Sequence, residues 1–141
     1  NLSGRIRYNT NTSYDLSVNS RNITENVSNE FGFSLNYSKN GFNLPFLGLN
    51  LRNDIDFNFS YSRTANESFI YDFTPGRTST EGTSQDGSVR TTLEARTNYK
   101  VSTMVTISIF YSRSKNEPKG SSRVQPITTN TAGLDVHIAI Q

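Results

Sequence analysis

The sequence predicts an all-β fold: an antiparallel transmembrane β-barrel segment of about seven strands. Three observations carry that expectation. Apolar and polar residues alternate with a period of two along most of the chain, several alternating segments reach about ten residues, and the connections between segments differ in length in an ordered way. Side chains of a strand point alternately to opposite faces, so each segment has one apolar and one polar side.

Composition is consistent with this and excludes other classes. Leu, Ile, Val and Phe make up about 24% of the 141 residues, too many for a disordered chain. Asn, Ser and Thr make up about 37%, more than the 33% contributed by all hydrophobic types, while charged residues reach only 18%. A formal charge of +2 argues for no nucleic-acid partner, although the isoelectric point near 9.0 leans basic. No apolar run approaches the roughly 20 residues of a spanning helix. Cys is absent, which removes disulfides, zinc-thiolate sites and cysteine nucleophiles. The chain opens at Asn1 without Met, basic n-region or apolar h-region, so a mature product or an excised piece is expected.

The elements follow in chain order. Leu2, Ile6 and Tyr8 mark a first strand, and Tyr14, Leu16 and Val18 a second, with a short turn over Asn9 to Ser13. Phe31, Phe33, Leu35 and Tyr37 line a third. In the fourth, Ile55, Phe57, Phe59 and Tyr61 oppose Asp54, Asp56, Asn58, Ser60 and Ser62. In the fifth, Val89, Leu93, Ala95 and Tyr99 oppose Arg90, Glu94, Arg96, Asn98 and Lys100. The sixth sets Val101, Val105, Ile107, Ile109 and Tyr111 against Ser102, Ser108, Phe110 and Ser112. The last sets Leu134, Val136, Ile138 and Ile140 against Asp135, His137 and Gln141. Segments of ten or more residues exceed the usual sandwich strand and match a strand that crosses a bilayer at a tilt.

Counted back from a periplasmic carboxyl end, the connections at 114–131, 64–88 and 20–29 fall outside, and those near Lys100 and Thr10 fall inside. Outer-membrane barrels show this asymmetry. One connection, Lys39 to Leu51, is apolar and longer than an inner turn needs. Its Gly41–Leu49 core, with Pro45 and two glycines, is expected to be irregular. It reads either as a connector packed on the barrel rim or interfacial lipid, or as a contact surface for a partner or plug. Phe69, Tyr71 and Phe73 extend the alternation beyond Arg63, so one hairpin is expected to project past the membrane.

Strand ends repeat an element. Tyr61-Ser62-Arg63 precedes Asn66-Glu67, Tyr111-Ser112-Arg113 precedes Asn116-Glu117, and Tyr37-Ser38-Lys39 is a partial third copy. In a membrane the Tyr ring sits at headgroup level and the cation reaches phosphate, which at the outer leaflet belongs to lipopolysaccharide. The alternative is a soluble hairpin with Tyr at the edge of a core. Interface anchors are therefore Tyr37, Tyr61, Arg63, Tyr99, Tyr111 and Arg113. Lipid-facing positions are Ile55, Phe57, Phe59, Leu93, Val105, Ile107, Ile109, Val136 and Ile138. Lumen-facing positions are Asp54, Asp56, Arg90, Glu94, Arg96, Asp135 and His137, since charges cost little in a hydrated lumen and about 2–4 kcal/mol for an Arg at mid-depth in lipid.

Catalytic chemistry is not expected. Asp54 and Asp56 are neighbours on a polar face because alternation puts them there, and His137 lies alone on its strand. No phosphate loop, metal constellation or nucleophile–base arrangement stands out, so no cofactor or metal is expected.

The runs Leu16 to Glu25, Ser28 to Tyr37, Asn53 to Ser62 and Thr128 to Val136 resemble the carboxyl-terminal region of the SprA/Sov family, the giant outer-membrane translocons of the type IX secretion system. The similarity covers nearly the whole chain through diffuse strand patterns. It departs at the end, Ile138-Ala139-Ile140-Gln141, where many outer-membrane barrels carry an aromatic residue. The resemblance implies the C-terminal part of a larger barrel, in the bacterial outer membrane, with protein export as its role. Implied partners are outer-membrane lipid and lipopolysaccharide, the rest of the barrel, secreted cargo proteins, a smaller barrel protein, a plug and periplasmic accessory proteins. About seven strands make an odd, open set with ends on opposite sides, so further strands are expected from upstream sequence or another chain. Rival expectations are a different large barrel (nutrient receptor or lipopolysaccharide inserter) and a secreted β-sandwich adhesin binding carbohydrate.

Overall fold

A computed structural model of the protein describes residues 1–44, 49–73, 81–120 and 124–139, and for 42–44 and 49–52 the backbone alone. It is an antiparallel sheet of seven strands that does not close on itself. The strands are β1 (Leu2–Ser17), β2 (Asn22–Leu44), β3 (Leu49–Asp72), β4 (Thr83–Ser84), β5 (Gly87–Lys100), β6 (Val105–Lys119) and β7 (Ile127–Ile138). Their order across the sheet is β1-β2-β3-β5-β6-β7, with the two-residue β4 pairing the far end of β3. Every long strand neighbours the next in sequence, a simple meander.

The count of seven agrees with the sequence, but the seven are not the same. The expected turn over Asn9 to Ser13 does not exist. β1 runs unbroken and pairs with β2 from Leu2↔Tyr37 to Ser17↔Asn22. Asn and Thr favour turns, yet here each has a partner on β2 (Thr10↔Asn29, Asn11↔Ser28), and ladder pairing outweighs local preference. β4 supplies the seventh strand instead. The correction reaches the ends of the chain: six long strands place Leu2 and Ile138 at the same end of the sheet, not at opposite ends.

Strands are also longer than the expected ten or so residues. β2 has 23 and β3 has 24. Their hairpin outreaches β1 and β5 only at the Leu44↔Leu49 end. At the Phe69 and Tyr71 end, where the sequence predicts one projecting hairpin, β1 runs level with β2 and β3 up to Ser17↔Asn22↔Asp72, so three strands extend together. Strand pairing continues through most of the Gly41–Leu49 stretch. The register shifts between Asn40 and Phe42, where Gly41 takes a φ of 69°, and resumes with Phe42↔Leu51 and Leu44↔Leu49. The extra residue is on β3, where positions 52 and 53 stand opposite Gly41 alone, and glycine takes the left-handed turn that lets β2 follow the bulge before the ladder goes on. Pro45 to Gly48, the middle of the stretch expected to pack on the barrel rim or contact a partner or plug, lie outside the described residues, as do Ile140 and Gln141. The β5–β6 turn occupies Val101 to Met104, so β6 begins at Val105 rather than Val101. Ser102 shapes that turn, its Oγ accepting from the amides of Met104 (3.2 Å) and Val105 (3.1 Å).

Almost nothing is buried. Among the described residues the only buried hydrophobic side chains are Ala65 and Val89, which face each other across β3 and β5. The chain exposes 10477 Å², whereas a compact protein of 15.8 kDa exposes about 7,300 Å². One sheet with no second layer explains the difference.

Candidate functional site

Register divides the sheet into two unlike faces. Paired residues share a face, so the ladders can be followed across all six long strands. One face carries Leu2, Gly4, Ile6 and Tyr8 on β1, Phe31, Phe33, Leu35 and Tyr37 on β2, and Ile55, Phe57, Phe59 and Tyr61 on β3. It continues with Leu93, Ala95, Thr97 and Tyr99 on β5, Val105, Ile107, Ile109 and Tyr111 on β6, and Ala132, Leu134, Val136 and Ile138 on β7. No charged side chain interrupts this band. Ring contacts knit its middle, with Phe31 6.3 Å from Tyr61 and Phe33 6.2 Å from Phe59, centroid to centroid. Yet it is uncovered: Leu2, Ile6, Ile109, Leu134, Val136 and Ile138 are all more than half exposed.

The band also slants. On β1 and β2 it tops out at Tyr8 and Phe31, which pair with each other. On β3 and β5 it tops out one face-row lower, at the paired Tyr61 and Leu93. On β6 and β7 it drops another row, to the paired Tyr111 and Ala132. One face-row is two residues, so the band descends about one residue per strand. With a rise of about 3.4 Å and a strand spacing of about 4.8 Å, that slope is roughly 35° from the hydrogen-bonding direction. Along β3 the band spans about 20 Å between its end Cα atoms.

All nine residues expected to face lipid lie on this face. The six anchors do too: Tyr61, Arg63, Tyr111 and Arg113 at one margin, Tyr37 and Tyr99 at the other. The seven charged or polar residues expected to face a lumen (Asp54, Asp56, Arg90, Glu94, Arg96, Asp135, His137) lie on the opposite face. That face is otherwise Ser, Thr and Asn, joined by bonds such as Ser108 Oγ to Asn98 Oδ1 at 2.7 Å. Its one aromatic on β6 is Phe110, whose ring lies over Gly133 of β7 and under the Arg96 guanidinium, 5.3 Å from its centroid. Asp54 and Asp56 are separate members of adjacent polar rows, pairing with Asn40 and Ser38 respectively. Among the described residues no group of three His, Cys, Asp or Glu is placed to hold a metal. No helix is long and apolar enough to cross a membrane, which says nothing of strands.

Two features escaped the sequence. Above the band, Tyr14 and Tyr71 donate their hydroxyls to the two carboxylate oxygens of Glu25, at 2.9 and 2.6 Å. Both phenols are raised above their ordinary value, chiefly by those hydrogen bonds. Second, ion pairs Lys119–Glu67 (2.6 Å) and Lys115–Glu117 (2.7 Å) tie up the carboxylates above Arg63 and Arg113. Strand register brings Tyr14, Tyr71 and Glu25 together, and Lys119 and Glu67, so no local spacing announces them; Lys115 and Glu117 are instead neighbours two residues apart on one face of β6.

Comparison with protein-family models, with curated proteins and with solved structures returns no match.

Proposed function

We propose that the chain is a wall segment of a large outer-membrane β-barrel that conducts protein, its apolar band against lipid and its polar face against a hydrated lumen. The observation that carries this is the band itself: four positions deep on six consecutive strands, uncharged, uncovered and inclined at about 35°. Membrane-barrel strands tilt about 35–45° and carry an apolar belt about 25 Å tall flanked by aromatic girdles. Tilting this sheet by the band's own slope levels the band. A soluble sandwich would bury these rows against a second sheet, and no second layer is present among the described residues.

The resemblance to SprA/Sov translocons makes protein export through the type IX system the specific role, with the open edges at β1 and β7 continuing into the rest of the barrel. The mechanism is geometric, without catalysis. Mixed charges on the polar face (Asp54, Asp56, Arg90, Glu94, Arg96, Asp135) hold no cargo tightly, which suits a conduit.

This segment has no Cys, so a cysteine placed in it is read on its own peptide by mass spectrometry. In outer membranes carrying the full protein, cysteines at Phe57, Ile109 and Val136 are expected to resist a hydrophilic maleimide, while those at Asp56, Arg96 and Asp135 react. Equal labelling of the two sets contradicts the proposal. A sandwich adhesin predicts instead a protein that stays soluble and monomeric without detergent.

A further inference from the structure

The two copies of Tyr-Ser-Arg, fifty residues apart in sequence, are placed two strands apart in the sheet. Tyr61 and Arg113 both pair with Leu93 of β5, and Arg63 and Lys115 both pair with Thr91. The copies are thus offset by one face-row, the same step by which the band descends. Inclined at the band's slope, Tyr61 and Tyr111 come level, and so do Arg63 and Arg113, with Cα atoms about 12 Å apart by strand spacing and rise. That gap lies within the combined reach of two extended arginine side chains.

Charge around the pair is one-sided. Both arginines are exposed and neither has a carboxylate partner among the described residues. The nearest acids on this face, Glu67 and Glu117, are already held by Lys119 and Lys115. Between the arginines β5 offers only Thr91, a hydroxyl donor and acceptor, and Leu93 below it. We propose that Arg63 and Arg113, with Thr91 between them, form a two-pronged site for the phosphate of an outer-leaflet lipid headgroup. The three terminal oxygens of a phosphate monoester let two planar guanidiniums bind it at once, sharing one oxygen, geometry that arginine matches and a point-charge lysine does not. Tyr61 and Tyr111 below would hold the apolar part of the same lipid at the band's margin. The site rests on the membrane reading.

The test uses the full protein in neutral detergent, titrated with diphosphoryl lipid A, with the same glycolipid after phosphatase treatment, and with inorganic phosphate. Bound lipid is read by native mass spectrometry. The phosphorylated lipid is expected to be retained at least tenfold over its dephosphorylated form. Arg63→Gln with Arg113→Gln should cut that preference below twofold, and the double Lys variant should fall between. Each single Gln variant should lose part of the preference, which keeps the test alive if the double variant fails to fold. Arg90→Gln, on the same β5 strand but the opposite face, should change nothing. No preference in the wild type, or equal loss in Arg90→Gln, overturns the site. Displacement by inorganic phosphate at the concentration of the lipid overturns its assignment to a lipid. Trp placed at Phe57 separates the two ideas: quenching by brominated lipid in vesicles without phosphate preference ends the site alone, and absence of quenching ends the membrane reading.

Discussion

At Gly133 a single methyl has no room. A Cβ there would stand 2.5 Å from Phe110 Cζ and 2.7 Å from Cε1, because the ring folds flat across the neighbouring strand. The obstacle is the end of a rotatable side chain, so Gly133→Ala should fold. It should lose about 0.5–1 kcal/mol as Phe110 swings away and leaves the Arg96 guanidinium. Urea unfolding of the full protein measures this. In a Phe110→Ala background the same substitution should cost nothing, and a persisting cost would place the strain in the backbone instead. The Tyr14–Glu25–Tyr71 cluster makes a pH prediction. Phenols raised by hydrogen bonds to a carboxylate stabilise the fold fully below their unfolded value near 10, and that contribution is lost as pH rises through the raised values. Ultraviolet titration should show two late-ionising tyrosines in the wild type, and Glu25→Gln should return both towards the ordinary value. Unchanged titration would mean the carboxylate does not set them.

An element in this sheet is defined by parity more than by propensity. Deleting Thr97 while the β5–β6 turn holds its place would carry Arg90, Glu94 and Arg96 onto the apolar face, since a one-residue slip exchanges the two faces. That deletion should abolish the folded form seen as heat-modifiable migration on gels, whereas deleting Gln125 in the connection before β7 should be tolerated. Equal tolerance would show that the faces do not matter. The same parity decides what is legible in advance. Where apolar residues occupy alternate positions, as from Ile55 to Tyr61 or Val105 to Tyr111, strand, face and neighbours follow from the residues. Where both faces turn polar, as from Asn9 to Ser13, alternation vanishes, and only pairing with β2 keeps the strand going. For the same reason the strands outrun their expected ends, from Arg63 on β3 outward to Asp72 and from Arg113 on β6 outward to Lys119. Four of the expected anchors, Tyr61, Arg63, Tyr111 and Arg113, are legible as two copies of Tyr-Ser-Arg. Their meeting at one margin of the band is not, because it depends on the one-row offset between β3 and β6.

At the scale of the whole molecule, that offset and the band's slope are one quantity. Tyr8 on β1 and Tyr111 on β6 both cap the band but stand two face-rows apart in the ladder. In a sheet whose strands cross the membrane upright, their depths would differ by about 13 Å, four residue rises. In a barrel wall inclined by about 35°, they sit level in one aromatic girdle. This segment has no Trp, so Tyr8→Trp and Tyr111→Trp each introduce its one Trp, read as the difference in fluorescence from the protein without the substitution. With lipids brominated at graded depths, both should be quenched most by the same shallow position, and a Trp at Ile109 by a deeper one. A difference of the full upright amount between Tyr8 and Tyr111 would refute the tilt, and with it the levelling that brings Arg63 and Arg113 to one height. Equal depths would extend the constraint to the strands that meet β1 and β7, whose apolar runs must continue the descent of about one residue per strand for the belt to stay level around the barrel.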